Sequence, residues 1–161
     1  MKKYKFVIAG GGTGGHLFPG IALAKHIKKT LPESEIIFIG TEKGIENTVV
    51  KKEGFELKLI DIAGIKGKGF KEKIKSIFKI PSAINQSLKI IKEFEADAVI
   101  GLGGYASGPA VIAAWLGNYP VFIMEQNSIP GITNRILSKF SSKIFTTFTS
   151  SHKYFSKTKV V

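Results

Sequence analysis

The chain has 161 residues, 43% of them hydrophobic, which is enough for one α/β domain with a buried core and too little for a second complete domain. It contains no cysteine, so disulfide bonds and thiolate chemistry are excluded, and a reducing, cytoplasmic setting is the simplest expectation. Its 24 Lys and Arg residues outnumber 12 Asp and Glu residues, giving a formal net charge of +12. This excess favours a polyanionic partner, such as nucleic acid, an anionic membrane or a phosphorylated ligand, without choosing among them.

Short apolar runs alternate with amphipathic stretches along the whole chain. The apolar runs predict strands at residues 4–9, 35–39, 56–61, 98–101, 120–123 and 143–145. The stretches between them carry apolar residues at helical spacing, for example from Ile21 to Leu31 and from Leu88 to Phe94. Repeated strand, helix, strand order predicts right-handed crossovers and a parallel sheet covered on both faces. We therefore expect residues 1–161 to form a single Rossmann-like, doubly wound α/β domain.

Two glycine-rich segments follow predicted strands, GGGTGGH from Gly10 to His16 and GLGGYASGP from Gly101 to Pro109. They come after the first and fourth strands, which are neighbours in the usual doubly wound order, at the point where ligands bind. Glycine lets the backbone approach a ligand closely, and a helix that starts after such a loop offers unpaired N–H groups to a phosphate. Two loops of this kind at one crevice favour a phosphorylated ligand.

The spacing Gly10-x-Gly12-x-x-Gly15 also matches the nicotinamide dinucleotide fingerprint, so an oxidoreductase domain is an alternative. The second strand ends in Gly40-Thr41-Glu42, and Glu42 could hold a ribose only if that strand ends late. The titratable His16 directly after the first loop is a second point against this alternative, since a dinucleotide site has little need for it.

His16 is predicted to lie at the start of a helix and to face the crevice, where it could accept a proton from a substrate hydroxyl. It is therefore the candidate general base. The alternative is a structural role, in which it caps the helix or forms a hydrogen bond across the loop.

Polar residues also follow the fifth predicted strand, in the segment from Met124 to Gly131. Glu125 could orient His16, act as an alternative base, or cap the helix that starts after Pro130. Asn127 can both donate and accept hydrogen bonds, which suits a sugar or a nucleotide.

The segment KGKGFKEKIKSIFKIP, residues 66–81, combines six lysines with an apolar stripe formed by Phe70, Ile74, Ile77 and Phe78. This is the form of a helix that lies in the interface of an anionic bilayer. The alternative is an ordinary amphipathic helix whose stripe packs on the sheet.

Four motifs occur in order, namely GGGTGGHLFPG, IKGKG at Ile65 to Gly69, GLGGYASGP, and EQNSIPGITN at Glu125 to Asn134. Together they resemble the amino-terminal half of the MurG family, the bacterial peptidoglycan glycosyltransferases, from about Lys5 to the end of the chain. The resemblance implies a GT-B fold, of which this chain is the acceptor-binding domain and from which the carboxy-terminal donor-binding domain is absent.

The activity implied by the resemblance is inverting transfer of N-acetylglucosamine from UDP-N-acetylglucosamine to lipid I, undecaprenyl-diphospho-N-acetylmuramoyl-pentapeptide, to form lipid II. UDP-N-acetylglucosamine would be the donor substrate, and we expect no cofactor bound by this half, which would be inactive alone. No carboxylate pair or histidine cluster has metal-ligand spacing, so no protein-held metal is expected. The alternative is a stand-alone subunit that binds the acceptor, anchors to the membrane and recruits a donor-binding partner chain.

The resemblance also implies roles for individual residues. His16 matches the proposed catalytic histidine, and Glu125, Gln126 and Asn134 match motif positions without a settled role. The positions expected at the donor are Thr13, Gly14, Gly15 and Asn127, and those expected around the acceptor diphosphate are Gly103, Gly104, Tyr105 and Ser107. The chain departs from the family pattern at Met124, where a histidine is frequent, and at Lys66, where an arginine is frequent.

A lipid-linked acceptor favours the membrane interpretation of the lysine-rich segment, and implies peripheral association with the anionic cytoplasmic face of the bacterial cell membrane. The expected membrane patch consists of Phe70, Lys71, Ile74, Lys75, Phe78, Trp115 and Lys139. A nucleic-acid-binding module is the competing class, but no recognised motif for it is present, and the lysines lie beside an apolar helix rather than an aromatic stacking platform.

Overall fold

The sheet of this chain has six parallel strands in the order β3-β2-β1-β4-β5-β6, as seen in a computed structural model that describes residues 3–62, 76 and 78–161. The strands are β1 (Lys5–Gly10), β2 (Glu35–Gly40), β3 (Glu56–Leu59), β4 (Ala98–Gly103), β5 (Val121–Glu125) and β6 (Lys143–Thr146). All six predicted strands are confirmed, and the third ends two residues earlier than predicted. The predicted Rossmann-like, doubly wound α/β fold is confirmed with them.

Helices connect consecutive strands and cover both faces of the sheet. They are α1 (Gly14–Thr30), α2 (Glu46–Lys52), α3 (Ile80–Phe94), α4 (Ser107–Leu116) and α5 (Ile132–Leu137), with short 3₁₀ turns at Ser138–Phe140 and Thr149–Tyr154. Helix α3 begins beside Pro81, which suits a first helical turn, and ends at Glu95, whose φ of 57° is left-handed. The lysine-rich segment before α3 lies mostly outside the described residues.

The inner strands β1, β2, β4 and β5 are largely buried, as expected of a parallel sheet between helical layers, whereas the edge strands β3 and β6 are mostly exposed. Alternation along β1 sends Val7 and Ala9 into a core with α3 and α4, and Ile8 into a second core with α1 and α2. Every residue of the central strand β4 is buried. The apolar runs that predicted the strands therefore supply residues to both hydrophobic cores, one on each face of the sheet.

Strands β1 and β4 are neighbours, and the helices that follow them, α1 and α4, lie on opposite faces of the sheet. Ala9 pairs with Gly101 and Gly10 pairs with Gly103, with a register shift between Ala9 and Gly10. Beyond these pairs both strands continue into loops at the carboxyl edge of the sheet, where a doubly wound fold has its ligand crevice.

Candidate functional site

The loop after β1 comes into direct contact with the loop after β4. Gly104 has a φ of 77°, and a Cβ atom added to it would collide with the carbonyl oxygen of Gly11. A side chain at this position would therefore be strained by the backbone and would push the loops apart. Glycine here keeps the two loops together as one surface above β1 and β4.

The first loop presents backbone at the start of α1. Its N-cap residue, Thr13, has an extended backbone and makes no side-chain capping hydrogen bond. Thr13 and Gly15 are exposed, Gly14 is half-buried, and the space around the α-carbon of Gly15 is open. The first turn of this 17-residue helix also contains no acidic residue. The positive end of the helix dipole therefore faces open space beside the crevice, as an anion-binding loop requires.

His16 lies between the loops after β1, β4 and β5. It belongs to the first turn of α1 and is half-buried. A Cβ atom at Gly103 would stand 3.0 Å from its Cε1 atom and 3.1 Å from Nδ1, so only glycine leaves room for the ring. The side-chain amide of Gln126 lies 2.7 Å from Nδ1. The imidazole is thus held through one nitrogen, and no hydrogen bond between described residues involves the other, Nε2.

The orientation of the Gln126 amide decides which nitrogen of His16 is available as a base. When Nε2 of Gln126 donates to Nδ1, the neutral imidazole carries its proton on its own Nε2. The Oε1 atom of Gln126 is then buried without a partner among the described residues. A half turn of the amide places Oε1 against a protonated Nδ1, satisfies the oxygen, and leaves Nε2 of His16 free to accept a proton.

Glu125 is completely buried and holds the loop after β5. Its Oε1 accepts hydrogen bonds from the backbone N–H and the side-chain amide of Asn127, both at 2.9 Å. Its Oε2 accepts from the amide of Asn134 on α5 at 2.9 Å, and that amide also reaches the carbonyl of Met124 at 3.1 Å. The contact from this loop to His16 comes from Gln126, whereas the carboxylate of Glu125 is engaged with Asn127 and Asn134. Asn127 itself is exposed at the crevice.

The loop after β4 places two hydroxyl groups at different depths. Tyr105 is half-buried, and its ring packs against the first loop, where a Cβ at Gly12 would stand 2.8 Å from Cε1. Ser107, the first residue of α4, is completely buried, and its Oγ has no hydrogen-bond partner in the described part of the chain. The hydroxyl lies against Gly101 of β4, where an added Cβ would stand 2.8 Å from its oxygen, so it lies beneath the loop rather than on its surface.

A groove of about 630 Å³ adjoins this loop on the β2 and β3 side. Its lining includes Thr41, Leu59, Asp61, Lys79 and Tyr105. Lys79 pairs with Asp61 at 2.7 Å along the groove. The groove therefore has room and charge of both signs for the part of a ligand that extends beyond a diphosphate.

Three groups that bear on the expected membrane patch lie within the described residues. Phe78 is 79% exposed, Trp115 is 48% exposed with its ring edge-on to Phe140 at 5.0 Å, and Lys139 is exposed. The remaining expected members, Phe70, Lys71, Ile74 and Lys75, lie outside the described residues. Within the described ranges no helix is both long and apolar enough to cross a bilayer. Large exposed aromatic side chains beside a lysine are a feature of interfacial surfaces.

An ion pair with shifted pKa values lies at the opposite, amino edge of the sheet. Lys5 donates to Glu95 at 2.7 Å, and this hydrogen bond raises the pKa of Lys5 and lowers the pKa of Glu95. Both carboxyl and ammonium groups there are accessible to solvent, so salt screens the pair. Across residues 3–62, 76 and 78–161, no group of three or more His, Cys, Asp or Glu side chains has a metal-binding arrangement.

The sequence did not identify Glu46 as a residue of the carboxyl edge of the sheet, where the candidate site lies. It is completely buried, and its carboxylate accepts hydrogen bonds from the loop after β1 and from Thr41. The acid considered for a ribose contact, Glu42, is exposed instead. An acidic residue at the start of a short helix usually lies in solvent, so the only local signal was the pair of glycines shortly before it, Gly40 and Gly44.

The chain has a six-stranded parallel sheet with glycine-rich loops at its switch point and a histidine beside them, and these features define a Rossmann-like domain. Residues 6–146 match the model of the glycosyltransferase family 28 N-terminal domain. The chain belongs to this family, and its fold is that of the amino-terminal domain of a GT-B glycosyltransferase. The resemblance to MurG is confirmed, and the family assignment leaves no support for the oxidoreductase alternative.

Curated relatives are similar over almost the whole chain. The chain is 50% identical over 155 residues to the UDP-N-acetylglucosamine–N-acetylmuramyl-(pentapeptide) pyrophosphoryl-undecaprenol N-acetylglucosamine transferase of Syntrophus aciditrophicus, covering 96% of the chain and 43% of that protein. It is 51% identical over 151 residues to the transferase of the same name from Clostridioides difficile, covering 94% of the chain and 37% of that protein. The chain therefore spans about two fifths of the length of these relatives.

Solved structures agree with the fold. The crystal structure of Acinetobacter baumannii MurG superposes with a TM-score of 0.82 at 32% identity, over 98% of this chain and 44% of that one. A UDP-GlcNAc 2-epimerase from Neisseria meningitidis superposes with a TM-score of 0.67 at 15% identity, over 99% of this chain and 46% of that one. The second similarity concerns the fold alone.

Proposed function

We propose that this chain is the acceptor-binding, membrane-associating part of an inverting glycosyltransferase that moves N-acetylglucosamine from UDP-N-acetylglucosamine to lipid I. The product is lipid II, an intermediate of peptidoglycan synthesis. The observation that carries the proposal is the position of His16, held by Gln126 between the loops after β1 and β4. The relatives that share about half of its residues are transferases of this kind.

In the proposed reaction the C4 hydroxyl of the N-acetylmuramoyl unit attacks the anomeric carbon of the donor. The bond from that carbon to the UDP oxygen breaks, UDP departs with the electron pair, and a β-1,4 linkage forms. Nε2 of His16 takes the hydroxyl proton, which requires the tautomer that Gln126 stabilises when its Oε1 accepts from Nδ1.

The diphosphate groups are assigned to the two helix starts. The open end of α1, with Thr13, Gly14 and Gly15, supports a contact with the donor, and the exposed Asn127 adds a donor and an acceptor for its sugar. The acceptor diphosphate is assigned to Gly103, Gly104 and Tyr105, with the unpaired hydroxyl of Ser107 beneath them. The groove beside Tyr105 has space for the sugar and peptide of the acceptor.

Most of the donor site is assigned to a carboxy-terminal domain, which the relatives' greater length supports. The exposed Phe78, Trp115 and Lys139 support peripheral contact with an anionic membrane, where a lipid-linked acceptor is available.

Binding of a soluble lipid I analogue to this chain tests the proposal. Saturable binding is expected, with weaker affinity for Ser107→Ala, because that variant loses the buried hydroxyl. Ser150→Ala removes an exposed hydroxyl and is the matched control, expected to bind as the unmodified chain does. NADH and a short oligonucleotide serve as competitors. Binding of either competitor without binding of the analogue would overturn the glycosyltransferase proposal.

A further inference from the structure

Glu46 is a buried carboxylate whose hydrogen bonds all go to backbone or hydroxyl donors. Its Oε2 accepts from the N–H of Gly12 at 2.9 Å. Its Oε1 accepts from the N–H and from the hydroxyl of Thr41, both at 2.9 Å. None of the ion pairs between described residues includes it, and its side chain has no exposed surface. Burial of a carboxyl group has a high desolvation cost, and here only hydrogen bonds from backbone and hydroxyl donors compensate it.

Three glycines from two separate segments make the space that this carboxylate occupies. A Cβ atom added at Gly11, Gly40 or Gly44 would overlap the Glu46 side chain. Gly11 belongs to the loop after β1, whereas Gly40 ends β2 and Gly44 precedes α2. The carboxylate therefore lies between the loop after β1 and the end of β2, where it joins backbone that is distant in sequence.

The hydrogen bonds of Thr41 extend this connection to the loop after β4. The Thr41 hydroxyl has one proton, which it donates to Glu46 because an ionised carboxylate can only accept. Its oxygen lies 3.2 Å from the hydroxyl of Tyr105, so Tyr105 is the donor in that contact. The chain of bonds runs from Tyr105 through Thr41 and Glu46 to the N–H of Gly12. The Tyr105 ring also packs against Gly12, which closes the connection.

We propose that Glu46 is a positioning residue that holds the loops after β1 and β4 in one relative position, ready for a nucleotide sugar and a diphosphate acceptor. The inference rests on the proposed function for the identity of the ligands, but the positioning itself is a property of the free chain. We assign Glu46 no contact with a substrate, because its side chain has no exposed surface. It acts through the N–H of Gly12, one residue before the expected donor contact at Thr13, and through the hydroxyl of Tyr105.

The variant Glu46→Gln tests the proposal, because it keeps the size of the side chain but replaces one acceptor oxygen with an NH₂ group that faces existing donors. We expect amide hydrogen exchange to become about tenfold faster or more at Gly12 or at Thr41, whichever N–H faces the new NH₂ group, the equivalent of one lost charge-assisted hydrogen bond. In a complete transferase that carries this chain, kcat/KM is expected to fall by a similar factor, about tenfold, with KM for UDP-N-acetylglucosamine raised.

Two controls separate positioning from stability and from charge. Val50→Ala removes packing from the same helix α2 without touching the carboxylate, and it is expected to lower the unfolding midpoint while leaving KM unchanged. Glu33→Gln makes the same chemical change at an exposed position. If Glu46→Gln fails to fold, Thr41→Val provides the second variant, because it keeps the Thr41 N–H bond but breaks the path to Tyr105. It is expected to lower kcat/KM with Gly12 still protected.

The outcomes are distinct. Faster exchange at Gly12 or Thr41 together with a raised KM, neither seen in Val50→Ala, supports the proposal. Unchanged exchange at both residues, or an effect on KM equal to that of Val50→Ala, overturns it. If the unmodified transferase shows no activity with UDP-N-acetylglucosamine, the proposed function fails, and the exchange rates alone then decide whether Glu46 positions the loop.

Discussion

The side-chain amide of Gln126 lies 2.7 Å from Nδ1 of His16, and joins the loop after β5 to the first turn of α1. The two residues are 110 positions apart in the chain. Because an amide can present either a donor or an acceptor to the ring, this one contact controls both the orientation of the imidazole and its tautomer. The ability of His16 to act as the proposed base therefore depends on Gln126, whose amide is not itself an acid or a base.

Replacement of His16 by alanine is expected to reduce kcat in a complete transferase by about 10²-fold to 10⁴-fold, the usual contribution of a general base. The fold should persist, because the ring is half-buried at the crevice and no core residue is lost. His26→Ala is the matched control, since it removes an exposed histidine from the same helix. Steady-state kinetics and a thermal melt give the comparison. A His16→Ala enzyme with normal kcat would rule out the assignment of this residue as the base.

Gln126→Leu and Gln126→Glu are expected to differ in activity. Leucine removes the hydrogen bond to His16 and should lower kcat about tenfold, the upper range for one neutral hydrogen bond. Glutamate can only accept from Nδ1, so it keeps the tautomer that leaves Nε2 free, and it should retain much more activity. Single-turnover rates at saturating donor and acceptor measure the difference. Equal losses in both variants would contradict control of the tautomer by residue 126.

Gly104→Ala is expected to lower the free energy of unfolding by about 1–3 kcal/mol, the cost of a strained left-handed residue. The added methyl group would also collide with the carbonyl oxygen of Gly11. Gly108→Ala is the control, because nothing lies within 4 Å of a Cβ at that position in α4. It should be neutral or slightly stabilising, since alanine favours helix. Urea denaturation of both variants gives the two values, and a Gly104→Ala chain as stable as Gly108→Ala would refute the expected loop contact.

Glu125→Gln is expected to destabilise the chain by about 1–3 kcal/mol, because the new NH₂ group would face donors that now bind the carboxylate. These donors belong to Asn127 and Asn134, so the loop after β5 should loosen along with the fold. Glu33→Gln changes the same atoms at an exposed position and should leave stability unchanged. Denaturation midpoints and the amide exchange rate of Asn127 provide the measurement. Normal exchange at Asn127 in Glu125→Gln would show that the carboxylate does not hold this loop.

Charge reversal at Lys139 should weaken binding of the chain to anionic vesicles several-fold, because each lysine near such a surface contributes about 1 kcal/mol. Lys157→Glu changes the net charge equally, at an exposed position outside the expected patch, and should have the smaller effect. Co-sedimentation with vesicles of phosphatidylglycerol and phosphatidylcholine, at fixed ionic strength, compares the two. Equal losses would mean that total charge, rather than the patch with Trp115, drives the association.

Much of the fold could be predicted because its signals are local. A buried parallel strand is a continuous apolar run, as in β4, and the alternation of such runs with helical spacing leaves few possible topologies. The glycine loops could also be placed, since the position of a loop in a doubly wound sheet follows from its order in the chain. His16 was a candidate for the same reason.

The sequence alone therefore determined the sheet, the order of its strands and the position of the crevice. These follow from the spacing of apolar residues and from the order of strands and helices along the chain. Only the tertiary structure decided that Gln126, rather than Glu125, contacts His16, and that Glu46 is buried. Neighbouring residues of one loop point in different directions, and no local pattern says which of them reaches another segment. The burial of Glu46 depends on glycines from two segments that meet only in the folded chain. Contacts between residues far apart in sequence leave no regular spacing of residue types, so they can be identified only from the folded structure.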